Sequence, residues 1–335
     1  MHMADALVIP AVAGVMYAAS AGAAGVSIHN VRLENDTKKI PVMGVMGAFV
    51  FAAQMINFTI PGTGSSGHLC GGMMLTALLG PSAGFLTMIG VLLIQCLFFA
   101  DGGLLALGCN VWNMAFYGCF IGALIWKAFM KNGADKKKII AASVIGSVAT
   151  LQLGAFSVVL ETLISGITEL PFSVFLGVMQ PIHLAIGFVE GLITAAVLCF
   201  VHEARPELLW GVGAAAKEGE GKLSFKKTLA ILGVATLLIG GILSLFASAF
   251  PDGLEWSMEK VAGTSELEAA GAAYETAESV QEATACLPDY AFPGSESAIG
   301  TTVSGIVGAL LVVVLCVGIS YLFRFFRNKR AKAAA

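Results

Sequence analysis

The sequence contains few charged residues. Asp, Glu, Lys and Arg together make up 12% of its 335 residues, against about 25% in a typical soluble domain. Hydrophobic residues make up 57% of the chain, and runs of roughly 20 apolar residues recur along most of its length. Because an α-helix satisfies its own backbone hydrogen bonds in lipid, these runs predict an all-α integral membrane protein and exclude a soluble one.

Motifs of several enzyme classes are also missing. The seven cysteines form no CxxC pair of the kind found in zinc sites, and no GxxxxGK[ST] loop for nucleotide phosphates occurs. His202-Glu203 begins an HExxH pattern but lacks the second histidine of a metalloprotease. We therefore expect neither an enzyme nor a chain that hydrolyses ATP itself, and we expect no catalytic cofactor and no nucleic-acid partner.

Nine apolar spans are predicted, of which the third is short. They cover residues 8–28, 41–60, 69–79, 82–100, 104–130, 139–164, 172–201, 228–250 and 298–323. At about 1.5 Å per residue, the third span reaches only about half of a ~30 Å hydrocarbon core. With Gly80-Pro81 as its turn, the segment 69–100 forms either a full or a re-entrant hairpin.

The connectors between these spans alternate in charge. Lys and Arg concentrate in four segments, at residues 29–39, 127–138, 202–227 and after 323. The positive-inside rule places these basic segments in the cytoplasm, so the N-terminus is predicted to be extracytoplasmic and the C-terminus cytoplasmic. The fold is therefore predicted as a bundle of about seven helices followed by two C-terminal transmembrane helices. These two flank an acidic extracytoplasmic loop, 251–297, which has few large apolar residues and is expected to pack little.

The chain begins Met1-His2, a pair that can chelate a metal ion. The Met1 amine and the His2 amide nitrogen close a five-membered ring around an ion, and the His2 imidazole closes a second. His68, in the loop NFTIPGTGSSGHLCGG on the same predicted side, can supply a fourth nitrogen. Four nitrogens in a plane suit Ni²⁺ or Cu²⁺, and Co²⁺ is also compatible, whereas Ca²⁺ and Mg²⁺ prefer oxygen. The alternatives are an uninvolved second-position histidine and a loop that is only a connector.

Three further residues are candidates, and two of them, His183 and Cys70, have two interpretations each. His183 is an intramembrane ionisable group and so a functional candidate, or a neutral imidazole bonded to a backbone carbonyl. Cys70 is a soft ligand or a packing residue, and Glu190 needs a partner if it is buried. A polar shell around the imidazoles can be drawn from Asp5, Gln54, Asn57, Asp101, Asn110, Asn113 and Gln180.

Several long segments resemble the CbiM/NikM family of metal-binding membrane components. They are MHMADAL, PVMGVMGAFVFAAQMINFTIPGTGSSGHLCGG, LLGPSAGFLTM and FFADGGLLALGCNVWNM. The tail resembles CbiN/NikN proteins of the type marked by PDGLE, here Pro251 to Glu255. The resemblance implies a fused CbiMN/NikMN chain with an S-component-like bundle. Its domains are predicted as 1–202 (metal-binding), 203–227 (cytoplasmic linker) and 228–335 (PDGLE region).

The resemblance also implies a function in energy-coupling factor (ECF) import. In that family the metal ligands map onto Met1, His2 and His68, and Cys70 departs from the family's glycine. The expected cargo is Ni²⁺ or Co²⁺, captured at an outward-facing site in the cytoplasmic membrane. The expected partners are a transmembrane coupling subunit (CbiQ/NikQ-like) and ATPase subunits (CbiO/NikO-like), besides the lipid bilayer. A vitamin-binding ECF component, an intramembrane metalloenzyme and a membrane scaffold remain alternatives.

Overall fold

The described part of the chain is mostly helical, as predicted. The computed structural model describes residues 1–31, 39–212, 221–295 and 297–334, with the backbone alone for residue 320 and residues 322–334. The helices of the first two thirds are α1 (Pro10–Asn30), α2 (Lys39–Gln54), α3 (Gly72–Leu79), α4 (Pro81–Phe99), α5 (Leu107–Met130), α6 (Lys136–Ile164) and α7 (Phe172–Ala204). The remaining helices are α8 (Phe225–Gly241), α9 (Gly253–Ala262), α10 (Ala272–Thr284) and α11 (Ala298–Ala334).

Six of these helices are long and apolar enough to cross a bilayer, counting only the described residues. They are α1, α4, α5, α6, α7 and residues Ala298–Ile319 of α11. The other three predicted spans correspond to shorter helices, α2 with 16 residues, α3 with 8 and α8 with 17. At about 1.5 Å per residue, α3 extends roughly 12 Å and does not cross a membrane alone. Residues 32–38 and 213–220, which are parts of the predicted basic connectors 29–39 and 202–227, lie outside the described residues.

The second predicted span was too long. Helix α2 ends at Gln54, and the strands β1 (Phe58–Ile60) and β2 (Ser65–Gly67) then form an antiparallel hairpin in which Ile60 pairs with Ser65. Pro61 disfavours helical backbone at Ile60, the residue before it, and Phe58–Ile60 pair in the hairpin instead. Gly62 adopts a φ of +78°, which the turn requires and which glycine allows.

The segment from the hairpin to α3 runs through the interior of the bundle. Residues 65–72 are all buried, and non-helical backbone at membrane depth is tolerated where protein surrounds it. At the far end of α3, the Ala77 carbonyl accepts a hydrogen bond from Trp210 N at 2.7 Å. Because Trp210 lies six residues after Ala204, the last residue of α7, this contact marks the end of the bundle opposite to His68.

Glycines set the spacing between neighbouring helices. A Cβ at Gly191 of α7 would lie 2.5 Å from Cα of Val144 in α6, so this pair of helices meets backbone to backbone. The C-terminal helices α8 and α11 also meet backbone to backbone. A Cβ at Gly305 of α11 would lie 2.0 Å from the carbonyl oxygen of Gly240 in α8. Helix α8 ends at Gly241, nine residues earlier than the predicted span, and a short 3₁₀ turn follows.

The expectation that residues 251–297 pack little is wrong for helix α9. Leu254 and Met258 are buried, and a Cβ at Gly253 would lie 2.6 Å from Ile186 Cδ1 on α7. Asp252 caps α9 by accepting hydrogen bonds from the backbone N–H groups of Leu254 and Glu255. This capped start lets a short helix pack firmly despite its low apolar content.

Candidate metal site

The N-terminus is threaded into the bundle and fixed there by its backbone. Met3 N donates to Asn110 Oδ1 at 2.7 Å, and Asn110 Nδ2 donates back to the Met3 carbonyl at 3.1 Å. Gly103 N also donates to that carbonyl at 2.9 Å. Met1 and Met3 are buried, so the amino group of the chain lies inside the protein.

The three predicted ligand residues lie together. The Met1 amino nitrogen is 2.9 Å from Nε2 of His68, and the rings of His2 and His68 stack with centroids 5.2 Å apart. Nδ1 of His68 is 3.1 Å from the Leu69 carbonyl, which assigns the proton to Nδ1 and directs the Nε2 lone pair towards the amine. The fold thus gathers an amine and two imidazoles, the nitrogen ligands that late first-row divalent ions favour.

The second histidine is oriented by two polar side chains. His2 Nδ1 lies 3.1 Å from Asp101 Oδ1, and Nε2 lies 3.3 Å from Gln95 Oε1. Burial lowers the pKa of His2 to about 4, against the attraction of Asp101, so the ring is neutral at physiological pH. Chelation through Nδ1 requires the ring to leave Asp101. Among the described residues, no group of three or more His, Cys, Asp or Glu is already arranged to hold a metal ion.

Asp252 is a member of the site that the sequence interpretation missed. Its Oδ2 forms an ion pair with the Met1 amine and lies 3.7 Å from His68 Nε2, while Oδ1 caps α9. Burial alone would raise the pKa of Asp252, but the N-terminal ammonium holds it well below its usual range. The capping-box pattern Asp252…Glu255 could be found in the sequence, but its contact with residue 1 could not.

Glu190 finds its partner in the backbone of the loop that carries His68. Its two carboxylate oxygens accept hydrogen bonds from Cys70 N at 2.8 Å and Gly71 N at 3.1 Å. Gln54 Nε2 donates to the Cys70 carbonyl at 2.7 Å, which fixes the same turn from the other side. Glu190 therefore positions His68 without touching it.

The other candidates are distributed around this centre. Cys70 directs its Sγ to the Met114 carbonyl at 3.6 Å, as a thiol donor does. His183 has Nδ1 2.8 Å from the Met179 carbonyl, which confirms the backbone-bonded interpretation for that nitrogen. Asn113 donates to Glu161 at 2.7 Å, and Asp5 accepts from Ala106 N at 2.9 Å, so both support neighbouring backbone and side chains rather than the imidazoles.

The fold is that of a polytopic helical membrane protein with an amine buried beside two imidazoles. Residues 2–208 match the family described as the cobalt uptake substrate-specific transmembrane region, CbiM, and residues 226–325 match the PDGLE domain. The chain belongs to the CbiM family, which confirms the resemblance identified from its motifs. It is a multi-pass membrane component of cobalt or nickel transport.

Known proteins resemble this chain over most of its length. It is 36% identical over 316 residues to a putative fused nickel transport protein, NikMN, of Archaeoglobus fulgidus, covering 94% of this chain and 96% of that protein. A transition metal transporter of known crystal structure shares 28% identity at a TM-score of 0.55, covering 66% of this chain and 100% of that one. A truncated transition metal transporter shares 30% identity at a TM-score of 0.54, covering 61% and 99%. These similarities favour metal transport over the vitamin, enzyme and scaffold alternatives.

Proposed function

We propose that this chain is the substrate-capturing component of an ATP-driven ECF importer for Ni²⁺ or Co²⁺. The observation that carries the proposal is the distance of 2.9 Å between the Met1 amine and His68 Nε2, with the His2 ring stacked alongside. In the metal-bound protein the ligands are the Met1 amine, the amide nitrogen and imidazole of His2, and the His68 imidazole. Planar coordination by four nitrogens favours Ni²⁺ over Co²⁺.

The proposed site faces the outside of the cell, and the chain delivers its ion to the cytoplasm. Two observations support this orientation. The N-terminus, His68 and Asp252 share one end of the bundle, and Lys136 and Lys222 pair with Glu203 near the other. The positive-inside rule assigns the lysine-rich end to the cytoplasm. Residues 1–202 then form the metal-binding domain, 203–227 a cytoplasmic linker and 228–335 the PDGLE domain.

Energy for transport comes from other subunits in this proposal. A CbiQ/NikQ-like membrane subunit couples the chain to CbiO/NikO-like ATPases, in agreement with the lack of a GxxxxGK[ST] motif in the sequence. Asp252, in the PDGLE segment, forms an ion pair with the Met1 amine. This segment is therefore positioned to guide the ion to the chelate.

The N-terminal amine provides the sharpest test. Adding one residue before Met1, or changing His2→Ala, should lower Ni²⁺ affinity by more than about 100-fold. This loss is larger than the loss of affinity that is typical when a residue that only orients a metal ligand is changed. Isothermal titration of the purified full-length protein measures this. The matched controls are one residue appended after Ala335 and His29→Ala, at the far end of α1, and both should bind as the wild type does. Wild-type affinity in both N-terminal variants would refute the proposed site.

A further inference from the structure

A small cavity lies against the N-terminal amine. Met1, His68, Asp252 and His183 contribute polar groups to its lining, and Cys70 and apolar residues complete the wall. Three of these four belong to the proposed capture site. His183 belongs to α7, and the capture chelate leaves it unused.

The imidazole of His183 presents a free lone pair to this cavity. Nδ1 lies 2.8 Å from the Met179 carbonyl, which can only accept, so the proton is on Nδ1 and the lone pair on Nε2. Nε2 has no hydrogen-bond partner among the described residues, although the side chain is 1% exposed. A buried acceptor without a partner is uncommon and calls for an explanation. A ring that donates one N–H to a carbonyl and keeps the other nitrogen free is the usual arrangement of a metal-ligating histidine.

The packing around this ring preserves the open space. A Cβ at Gly253 would lie 3.1 Å from Cε1 and 3.3 Å from Nε2 of His183, so a side chain there would press on the ring. Gly253 directly follows Asp252, whose carboxylate reaches the amine and His68. Asp252 of the PDGLE segment lines the cavity, and the neighbouring Gly253 has no side chain to press on Nε2 of His183.

We propose that His183 Nε2 is the ligand of a second binding position for the transported metal ion, adjacent to the N-terminal chelate and completed by His68 and Asp252. This proposal rests on the proposed function. The cargo is a late first-row divalent cation, because a neutral imidazole binds such ions and does not compete with water for Mg²⁺ or Ca²⁺.

The second position gives the ion a ligand when it leaves the chelate. The described residues contain no cluster of three side-chain ligands that is already arranged around an ion. His68 or Asp252 must therefore turn towards His183 before the second binding position is complete. Binding there is consequently weaker than at the chelate, which suits a position that the ion occupies on its way through the bundle.

A double-variant experiment on the full-length protein tests this position, with radioactive Ni²⁺ in equilibrium dialysis. His2→Ala disables the chelate and should leave weaker, saturable binding. Adding His183→Ala to His2→Ala should reduce that residual affinity by a further ~10-fold or more. Adding His202→Ala, from the distal end of the same helix, should leave it unchanged. His183→Gln replaces His183→Ala if the alanine variant does not fold.

The outcomes separate this inference from the proposed function. Wild-type affinity in His2→Ala would refute the chelate. Loss of all binding in His2→Ala, or residual binding that is indifferent to residue 183, would overturn the second position and leave the chelate intact.

A spectroscopic measurement tests contact with the ion directly. In the His2→Ala background, His183→Cys should add a sulfur-to-cobalt charge-transfer band when Co²⁺ is bound, and His202→Cys should not. Cys70 and the other native cysteines contribute equally to both spectra. Identical spectra of the two cysteine variants would overturn the proposal.

Discussion

The ion pairs at the two ends of this protein differ in how far they are exposed to solvent. At one end, the Met1 amine pairs with Asp252 while both side chains are largely buried, 5% and 13% exposed. At the other end, Glu203 pairs with Lys136 and Lys222, whose side chains are 58% and 73% exposed. We call Met1, His68 and Asp252 the Met1 cluster. We call Glu203, Lys136 and Lys222 the Glu203 cluster.

The difference shows where this protein requires fixed geometry. Exposed ion pairs are screened by water and contribute little to stability, so the Glu203 cluster tolerates change. A buried charge needs its partners, and removal of one partner leaves the other uncompensated. The Met1 cluster is therefore held by defined contacts, which is what a binding site for a small ion requires. Five substitutions test this contrast.

The largest effect is expected from Glu190→Gln. The amide keeps one acceptor but turns an NH₂ group towards a backbone N–H, so the loop that carries His68 loses a charge-assisted hydrogen bond. We expect the unfolding free energy to fall by about 3 kcal/mol and the Ni²⁺ affinity by about 10-fold or more. Denaturant unfolding and calorimetric titration measure the two effects. Wild-type affinity in a folded Glu190→Gln protein would show that Glu190 does not position His68.

A smaller effect is expected from Asp252→Asn. Asparagine is as good an N-cap as aspartate, so helix α9 keeps its capping hydrogen bonds and only the charge beside the Met1 amine is lost. The metal-free protein should lose about 2 kcal/mol of unfolding free energy, because a buried ammonium no longer has its counter-charge. Denaturant unfolding in a chelator checks this. An unchanged midpoint would mean that the ion pair with Met1 contributes nothing.

A matched pair of tryptophans sharpens the comparison. Trp256 Nε1 donates to the Thr63 carbonyl in the hairpin turn at 3.1 Å, and Trp126 Nε1 donates to the Trp210 carbonyl at the opposite end at 2.8 Å. Changing either residue to Phe should lower the unfolding free energy by about 1 kcal/mol.

The two tryptophan variants should differ in metal binding. Trp256→Phe loosens the hairpin that leads to His68 and should weaken Ni²⁺ binding, whereas Trp126→Phe should not. Equal Ni²⁺ affinities in the two variants would argue against coupling between the hairpin and the site.

The smallest effect is expected from Lys136→Ala in the Glu203 cluster. The lysine is solvent-exposed, and Glu203 retains Lys222 at 2.8 Å. Both the unfolding midpoint and the Ni²⁺ affinity should stay at their wild-type values within error. A clear loss in either would contradict the contrast between the two ends.

The sequence was sufficient for the features that depend on local patterns. Apolar runs predicted the long helices, and the place of His183 in an apolar span predicted a backbone-bonded imidazole as one of two interpretations. The motifs were long enough to identify the family. The proximity of Met1, His2 and His68 followed from the resemblance and from the predicted sidedness of the loops, and the structure brings these residues together.

Features that depend on contacts between distant segments were out of reach. Asp252 meets Met1 across 251 positions of the chain, and no local pattern encodes that contact. Glu190 is satisfied by two backbone N–H groups, which carry no sequence signature. The end of α2 at Gln54 was not predicted, because the apolar run continues up to Ile60.

The central claim is that the Met1 amine, His2 and His68 together bind one transition-metal ion. Nickel K-edge X-ray absorption of the loaded full-length protein tests it most directly. We predict a first shell of nitrogen alone, with the outer-shell scattering of two imidazoles, one of which disappears in His68→Ala. A shell dominated by oxygen or sulfur, or a spectrum unaffected by His68→Ala, would contradict the account.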